Sequence, residues 1–294
     1  MKILITGHEG FIGTHLINKL KGSGIQWDGY DLINGDDVRN KLRLEKVIEA
    51  GNYDFVVHMA ALAGVRRGEE YPDEYISTNV LGTKNIVDLC NRYKVKLIFF
   101  SSSSVLGGNP RDDENGLVEE MQYNPKSLYA ITKVAGEQIV SQCTEKYFII
   151  RPFTVYGENG RPDMVIYKWI HQIKKGLPIS FYGDGTTTRG YTHVEDLVNA
   201  LIVLMKKIER GEILVSSITL HLGGSEQIYL KDVFRTFVNY NKAKGKNVDV
   251  EYLPLPKEDV FDSFAYTGKA KILLGFEPKP NFNKILNKIL QKEL

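Results

Sequence analysis

Short apolar runs recur through the first half of the chain, and between them apolar residues return every three or four positions. "KILIT" (2–6), "IQWDGYD" (25–31), "FVVHM" (55–59), "KLIFFS" (96–101) and "KYFIIR" (146–151) read as strands. Helical periodicity occupies segments near 11–22, 41–50, 73–93 and 126–145. Strands separated by helices require crossover connections, which predicts an α/β fold: a Rossmann-type, doubly wound parallel sheet. "FVVHM" and "KLIFF" are almost unbroken apolar runs, as expected of strands covered on both faces. After about residue 155 the rhythm loosens, and Gly and Pro gather in "YGENGRPDM" and "GLPISFYGDGTTTRGYTH". The helix "HVEDLVNALIVLMKKI", the strand "ITLHL", the helix "YLKDVFRTFVNYN" and a last strand and helix follow. The expected division is a first domain over 1–155 and a smaller C-terminal lobe over 156–294, some of whose segments return to the first.

Composition narrows the class without naming a function. The 294 residues are 43% hydrophobic and 25% charged, which excludes a disordered or fibrous chain. The 38 basic and 36 acidic residues nearly balance, so nothing points to nucleic acid or to a membrane surface. No apolar stretch reaches membrane-spanning length, and Met1 leads into a strand without a signal-peptide pattern. Cys90 and Cys143 lie in helix-like segments and read as reduced thiols. These features together predict a soluble cytoplasmic protein.

The candidate chemistry begins in "ILITGHEGFIGTHL", which places Gly7, Gly10 and Gly13 where a strand turns into a helix opened by Phe11 and Ile12. That context turns a weak glycine pattern into a dinucleotide-binding signal. Gly7 allows the tight turn, Gly10 lets backbone approach a pyrophosphate, and Gly13 lets helix and strand pack closely. The helix start offers free N–H groups to the anion. Asp31 ends the second strand, where a carboxylate bonds the ribose hydroxyls and repels a 2′-phosphate, which favours NAD over NADP. Asp37 and Val38 stand where they can flank the adenine.

"SLYAITKVAGEQ" adds Tyr129 and Lys133, four residues apart and so on one helix face. A lysine beside a tyrosine favours the phenolate, so the expected pKa of Tyr129 is lowered, as a general base for a hydroxyl requires. The serine run of "FFSSSSVLGG" ends a buried strand just upstream.

With these residues the chain resembles the extended short-chain dehydrogenase/reductases, and within them the nucleotide-sugar epimerases. The motifs "TGHEGFIG", "HMAALAG", "STNVLGTKNIV", "SSSSV", "YAITK", "RPFTVYG" and "RGYTHVEDLVNA" run in family order along nearly the whole chain. "GENGRPDM" after "RPFTVYG" is most similar to the UDP-glucuronate 4-epimerases. The resemblance implies NAD in the first domain and a UDP-sugar mainly in the second lobe. It assigns the catalytic roles to Tyr129, Lys133 and Ser102, with Ser102 on the 4-oxygen and Lys133 also on the nicotinamide ribose. Met59, Ala60, Ala61 and Asn79 match segments lining the NAD site, and Arg189 matches a diphosphate-binding arginine. The reaction implied is oxidation at C4, turnover of the 4-keto sugar, and return of the hydride to its other face. The resemblance also implies a homodimer through the helices near 73–93 and 126–145.

Ser103 and Ser104 stand where related 4,6-dehydratases carry an Asp-Glu pair, and Ser104 where related decarboxylases carry a Glu. Without those carboxylates no second chemical step is provided for. A uronate substrate needs its carboxylate held, and Ser103, Ser104, Thr154 and Arg161 are the residues expected to hold it. Some positions depart from the family. Leu106 replaces a usual Tyr, and Lys257 or Asp262 together with Tyr266 replace a usual Arg and Asp near the nucleotide. His58 and His193 have no metal-ligand company, so no metal is expected. A UDP-glucose or UDP-N-acetylhexosamine epimerase, an NAD(P)-dependent 4-keto-sugar reductase and a non-catalytic NAD sensor or scaffold are the competing readings.

Overall fold

The structure is a computed structural model that describes residues 1–110, 115–224, 226–279 and 281–294. The apolar runs form β1 (Lys2–Thr6), β2 (Gln26–Tyr30), β3 (Phe55–His58), β4 (Lys96–Phe100) and β5 (Tyr147–Pro152). Between them lie α1 (Phe11–Leu20), α2 (Lys41–Gly51), α3 (Val65–Glu70), α4 (Pro72–Tyr75), α5 (Gly82–Tyr93) and α6 (Leu128–Val140). Beyond β5 come β6 (Val155–Tyr156), α7 (Val165–Lys174), β7 (Ile179–Tyr182), β8 (Thr188–Gly190), β9 (Thr192–His193), α8 (Val194–Glu209) and β10 (Ser217–Leu222). The chain finishes with β11 (Gln227–Tyr229), α9 (Leu230–Ala243), β12 (Val250–Leu253), β13 (Asp262–Ser263), α10 (Gly268–Leu274) and α11 (Phe282–Glu293).

Six strands make one parallel sheet in the order β10-β5-β4-β3-β1-β2. The direction of winding reverses between β1 and β3, which creates a crevice at their carboxyl ends. Strand alternation sorts the core. Ile3, Ile5, Ile98, Phe100 and Ile150 pack with Leu16 and Leu20 of α1 and with Leu197, Leu201 and Leu204 of α8. Leu4, Val56, Leu97, Phe99 and Ile149 pack on the other face with Leu44 and Ile48 of α2, Ile86 and Leu89 of α5, and Val140 of α6. Burial of each such side chain contributes about 1.5–3 kcal/mol. A separate cluster around Trp169, Phe181, Phe237 and Leu286 holds α7, β7, α9 and α11 together.

Two features differ from the sequence pattern. Residues 65–70 form a helix that the periodicity does not single out. The stretch expected as one helix over 73–93 is interrupted by a π-helical turn at Ile76–Leu81 between α4 and α5. That wider turn presents Asn79 inward, where its side chain binds both the N–H and the carbonyl of Leu62 at 2.8 and 2.9 Å. A periodicity count sees neither partner.

Two histidines at the strand ends are wholly enclosed. His58 lies between the hydroxyls of Thr6 (2.7 Å) and Thr83 (3.1 Å), and His221 lies against Leu117 O at 2.9 Å. Burial, aided by Lys133 beside the first and Arg151 beside the second, holds both down to about 3. The unfolded chain therefore binds more protons below about pH 6.5, and stability is lost as pH falls from there toward 3. Urea unfolding should give a falling free energy between pH 7 and 5. His221→Gln should make that slope shallower by up to about 1.4 kcal/mol per pH unit.

Candidate active site

The glycine turn lies in the crevice. Gly7 has φ +76° and donates its N–H to Tyr30 O at 2.9 Å. A Cβ on Gly7 would stand 2.7 Å from Ala60 N, and one on Gly13 would stand 2.4 Å from Gly7 O. The turn is thus wedged between the end of β2 and the Met59–Ala61 segment, whose Met59 N–H donates to Thr6 O at 3.1 Å. Gly10 opens α1 in an extended conformation with no side-chain cap, so no side chain competes for the helix-start N–H groups at Phe11 and Ile12. Asp31 is buried beside them and accepts from the N–H groups of Glu9 (3.0 Å) and Ile33 (3.1 Å). Val38 is buried against Gly82, and its carbonyl accepts from Asn85 Nδ2 at 3.0 Å. Asp37 forks onto Arg39. A turn opened and closed by glycine, an uncapped helix start and a carboxylate at the second strand's end fit a dinucleotide without a 2′-phosphate.

The serine run meets α6 at the end of β4. Lys133 is buried, and its Nζ donates to Phe100 O at 2.8 Å. Ser102 lies beside the Tyr129 phenol, whose pKa it pulls down, and donates to Ser104 Oγ at 3.0 Å. Ser103 and Ser104, both half-buried, begin a short 3-10 turn. One turn beyond Lys133, Glu137 is buried with Arg151, which bonds both its oxygens at 2.9 and 2.7 Å. Sequence reading passed over Glu137 and Arg151. Their signals were an acid four residues beyond Lys133 and an arginine inside the apolar strand "YFIIRP".

The electrostatics of Tyr129 correct the expectation drawn from Lys133. Burial dominates and pushes the phenol up; Arg161 and then Ser102 pull it back, while Asp163 pushes it further up. Lys133 turns its charge toward the Phe100 carbonyl instead. Burial draws Lys133 itself down to about 8, with Glu137 opposing.

The loop after β6 carries Arg161, whose Nε and Nη2 fork onto Asp163. This pair borders Gly64, whose φ of +106° needs a glycine. Tyr75 sits alongside, edge-on to Tyr129 with ring centroids 6.5 Å apart. Thr154 is half-buried and its carbonyl accepts from Thr192 N at 2.9 Å. Arg189 donates to the carbonyls of Thr188 (2.7 Å), Val260 (2.9 Å) and Phe261 (3.0 Å). Leu106 is buried with Val105, Leu117 and Phe153, and Asp262 accepts from Thr188 N at 3.1 Å. Tyr266 is half-exposed. His193 lies away from this group, edge-on to Tyr156. Among the described residues no cluster of three His, Cys, Asp or Glu side chains could hold a metal.

Residues 3–215 match the model of the NAD dependent epimerase/dehydratase family. A UDP-glucuronate 4-epimerase of Thermodesulfobacterium geofontis is 31% identical over 307 residues, covering 94% of this chain and 91% of the relative. Among solved structures, the UDP-glucuronic acid 4-epimerase of Bacillus cereus, in complex with UDP-glucuronic acid and NAD, superposes with a TM-score of 0.86 at 27% identity and covers 99% of both chains. MoeE5 in complex with UDP-glucose and NAD gives 0.86 at 30% identity, covering 99% of this chain and 98% of that one.

Proposed function

Given that the chain belongs to the NAD dependent epimerase/dehydratase family, we propose that it inverts C4 of a UDP-sugar, with UDP-glucuronate its substrate. The observation that carries the reaction is that Tyr129 and Lys133, one turn apart on α6, lie at the end of β4, with Lys133 Nζ on Phe100 O and Ser102 beside the phenol. NAD would supply the hydride acceptor and donor that inversion at C4 requires. Gly7, Gly10, Gly13 and the helix start at Phe11 and Ile12 would hold its pyrophosphate, and Asp31 a ribose. Asp37 and Val38 would flank the adenine, and Met59, Ala60, Ala61 and Asn79 would line the site.

Tyr129 takes the C4 hydroxyl proton and later gives it back. Ser102 holds the same oxygen, and Lys133, tied to Phe100 O, would meet the nicotinamide ribose. Because the phenol is buried and shifted up in the protein alone, its activation depends on the cations gathered near it. Arg189 meets no carboxylate among its hydrogen-bond partners and would bind the diphosphate. Ser103, Ser104 and Thr154 present hydroxyls, not carboxylates, so elimination and decarboxylation lack their acid. Arg161 supports the uronate reading. Asp163 occupies its Nε edge, which leaves Nη1 for a sugar carboxylate. MoeE5 is seen with UDP-glucose and with UDP-glucuronic acid, so a neutral sugar is the second reading.

A homodimer is proposed as well. Ile76, Leu81 and Ile131 are 47%, 48% and 51% exposed on the π turn and α6, an apolar face suited to a second copy. Nucleotide ligands and two unpaired cysteines support a cytoplasmic setting.

Three outcomes are expected. Tyr129→Phe should retain NAD while lowering turnover about 10²–10⁴-fold, followed as C4 configuration by NMR; near wild-type turnover would reject the assignment. UDP-glucuronate should be epimerised about tenfold faster than UDP-glucose, and Arg161→Ala should erase most of that preference, since a charge-assisted contact contributes roughly 1.5–3 kcal/mol. Preference for UDP-glucose in the wild type would end the uronate reading and leave the epimerase intact. Light scattering at micromolar concentration should give the dimer mass, and a monomer would count against the pairing.

A further inference from the structure

We propose that Glu137 is the positioning residue of this site: by holding Ser101, it sets the register in which Ser102 meets Tyr129 and Lys133 meets the strand. The inference rests on the reading of Tyr129 as the base.

Three consecutive residues at the end of β4 meet three residues on one face of α6. Phe100 O accepts from Lys133 Nζ at 2.8 Å, Ser101 Oγ donates to Glu137 Oε1, and Ser102 lies beside the Tyr129 phenol and pulls its pKa down. Positions 129, 133 and 137 are successive four-residue steps of one helix. Phe99 packs in the layer that includes α6, and its ring lies 2.7 Å from where a Cβ on Gly136 would stand. Strand alternation points Ser101 the same way as Phe99, toward Glu137. The Ser101–Glu137 bond therefore ties the strand end to α6 one turn beyond Lys133, in addition to the Phe100–Lys133 bond. A slip of one residue would carry Ser102 away from Tyr129.

Glu137 is itself immobilised. Its Oε1 also accepts from Arg151 Nε at 2.9 Å, and its Oε2 accepts from Arg151 Nη2 at 2.7 Å and from the Tyr123 hydroxyl at 2.8 Å. Arg151 reaches on to Glu119 O at 3.0 Å. A carboxylate with four donors on it has no free lone pair for substrate chemistry. It acts through Ser101, and its negative charge also favours the protonated form of Lys133 against burial. The groups bearing on Tyr129 are Ser102, Arg161 and Asp163.

The test uses Ser101→Ala in the NAD-loaded protein, which keeps the Glu137–Arg151 pair and the Tyr123 bond. A second variant, Glu137→Gln with Arg151→Met, removes both charges together so that neither is left buried alone. Each should lower kcat tenfold or more, since misplacement of about 1 Å can cost 10²-fold, while KM for UDP-glucuronate stays within about twofold. A second readout needs no sugar: phenolate absorbance on pH titration, taken as the difference from the same background carrying Tyr129→Phe. The Tyr129 titration should move to higher pH in both variants as Ser102 loses its place. Unchanged kcat and unchanged titration in both would overturn the proposal, as would a raised KM with an unchanged titration. If the wild type epimerises no UDP-sugar, the proposed reaction fails, and the titration alone still decides the role of Glu137.

Discussion

A single buried ion pair, Glu137 with Arg151, sets the constraint on which the site depends. Neither charge is stable inside the protein without the other; breaking such a pair costs about 3–5 kcal/mol. Together they join α6 to β5, to the strand end at Ser101 and, through Glu119 and His221, to β10 and the segment before α6. Apolar residues of equal volume could hold those layers together. They could not dictate which serine hydroxyl faces which helical side chain. Direction is what the hydrogen bonds add to the packing.

The second constraint is steric. Gly7 and Gly13 bring α1, the end of β2 and the Met59–Ala61 segment within distances that a single Cβ would forbid. The glycine turn is therefore defined by what is missing from the backbone. The face carrying Lys133 and Glu137 is defined by what is bonded across β4 and α6. Both lie at carboxyl ends of the parallel sheet because the winding reverses between β1 and β3. The chain beyond β5 carries Arg161 and Arg189, each guanidinium held in place by protein oxygens. Those oxygens differ: Arg161 is forked by a carboxylate, whereas Arg189 hydrogen-bonds carbonyls and has Asp259 and Asp262 only in its surroundings.

The departures at Leu106, Asp262 and Tyr266 have physical explanations in part. Leu106 fills a small apolar cluster with Val105, Leu117 and Phe153, and so supports the floor of the serine turn. Asp262 is used within the protein, where it fixes the pairing of β13 with β8 and hence the backbone around Arg189. The structure gives no account of the half-exposed Tyr266.

Much of this was legible in the chain by itself. Short apolar runs and helices of period 3.6 are local signals, so β1 to β5 and the helices α1, α2 and α6 follow from the residues in place. Gly7, Gly10, Gly13 and Asp31 are legible for the same reason: their spacing along one strand–turn–helix is the mechanism. Tyr129 and Lys133 share a helix face whatever surrounds them. Tertiary structure alone decided the rest. The π turn at Ile76–Leu81 depends on Asn79 reaching Leu62, 17 residues away in sequence. The acidity of Tyr129 depends on how deeply the fold buries it and on Arg161, which approaches from another lobe. The role of Glu137 depends on Ser101 and Arg151, 36 and 14 residues distant. Periodicity and spacing encode what a residue can do to its near neighbours. Desolvation and long-range hydrogen bonds exist only once distant segments have met.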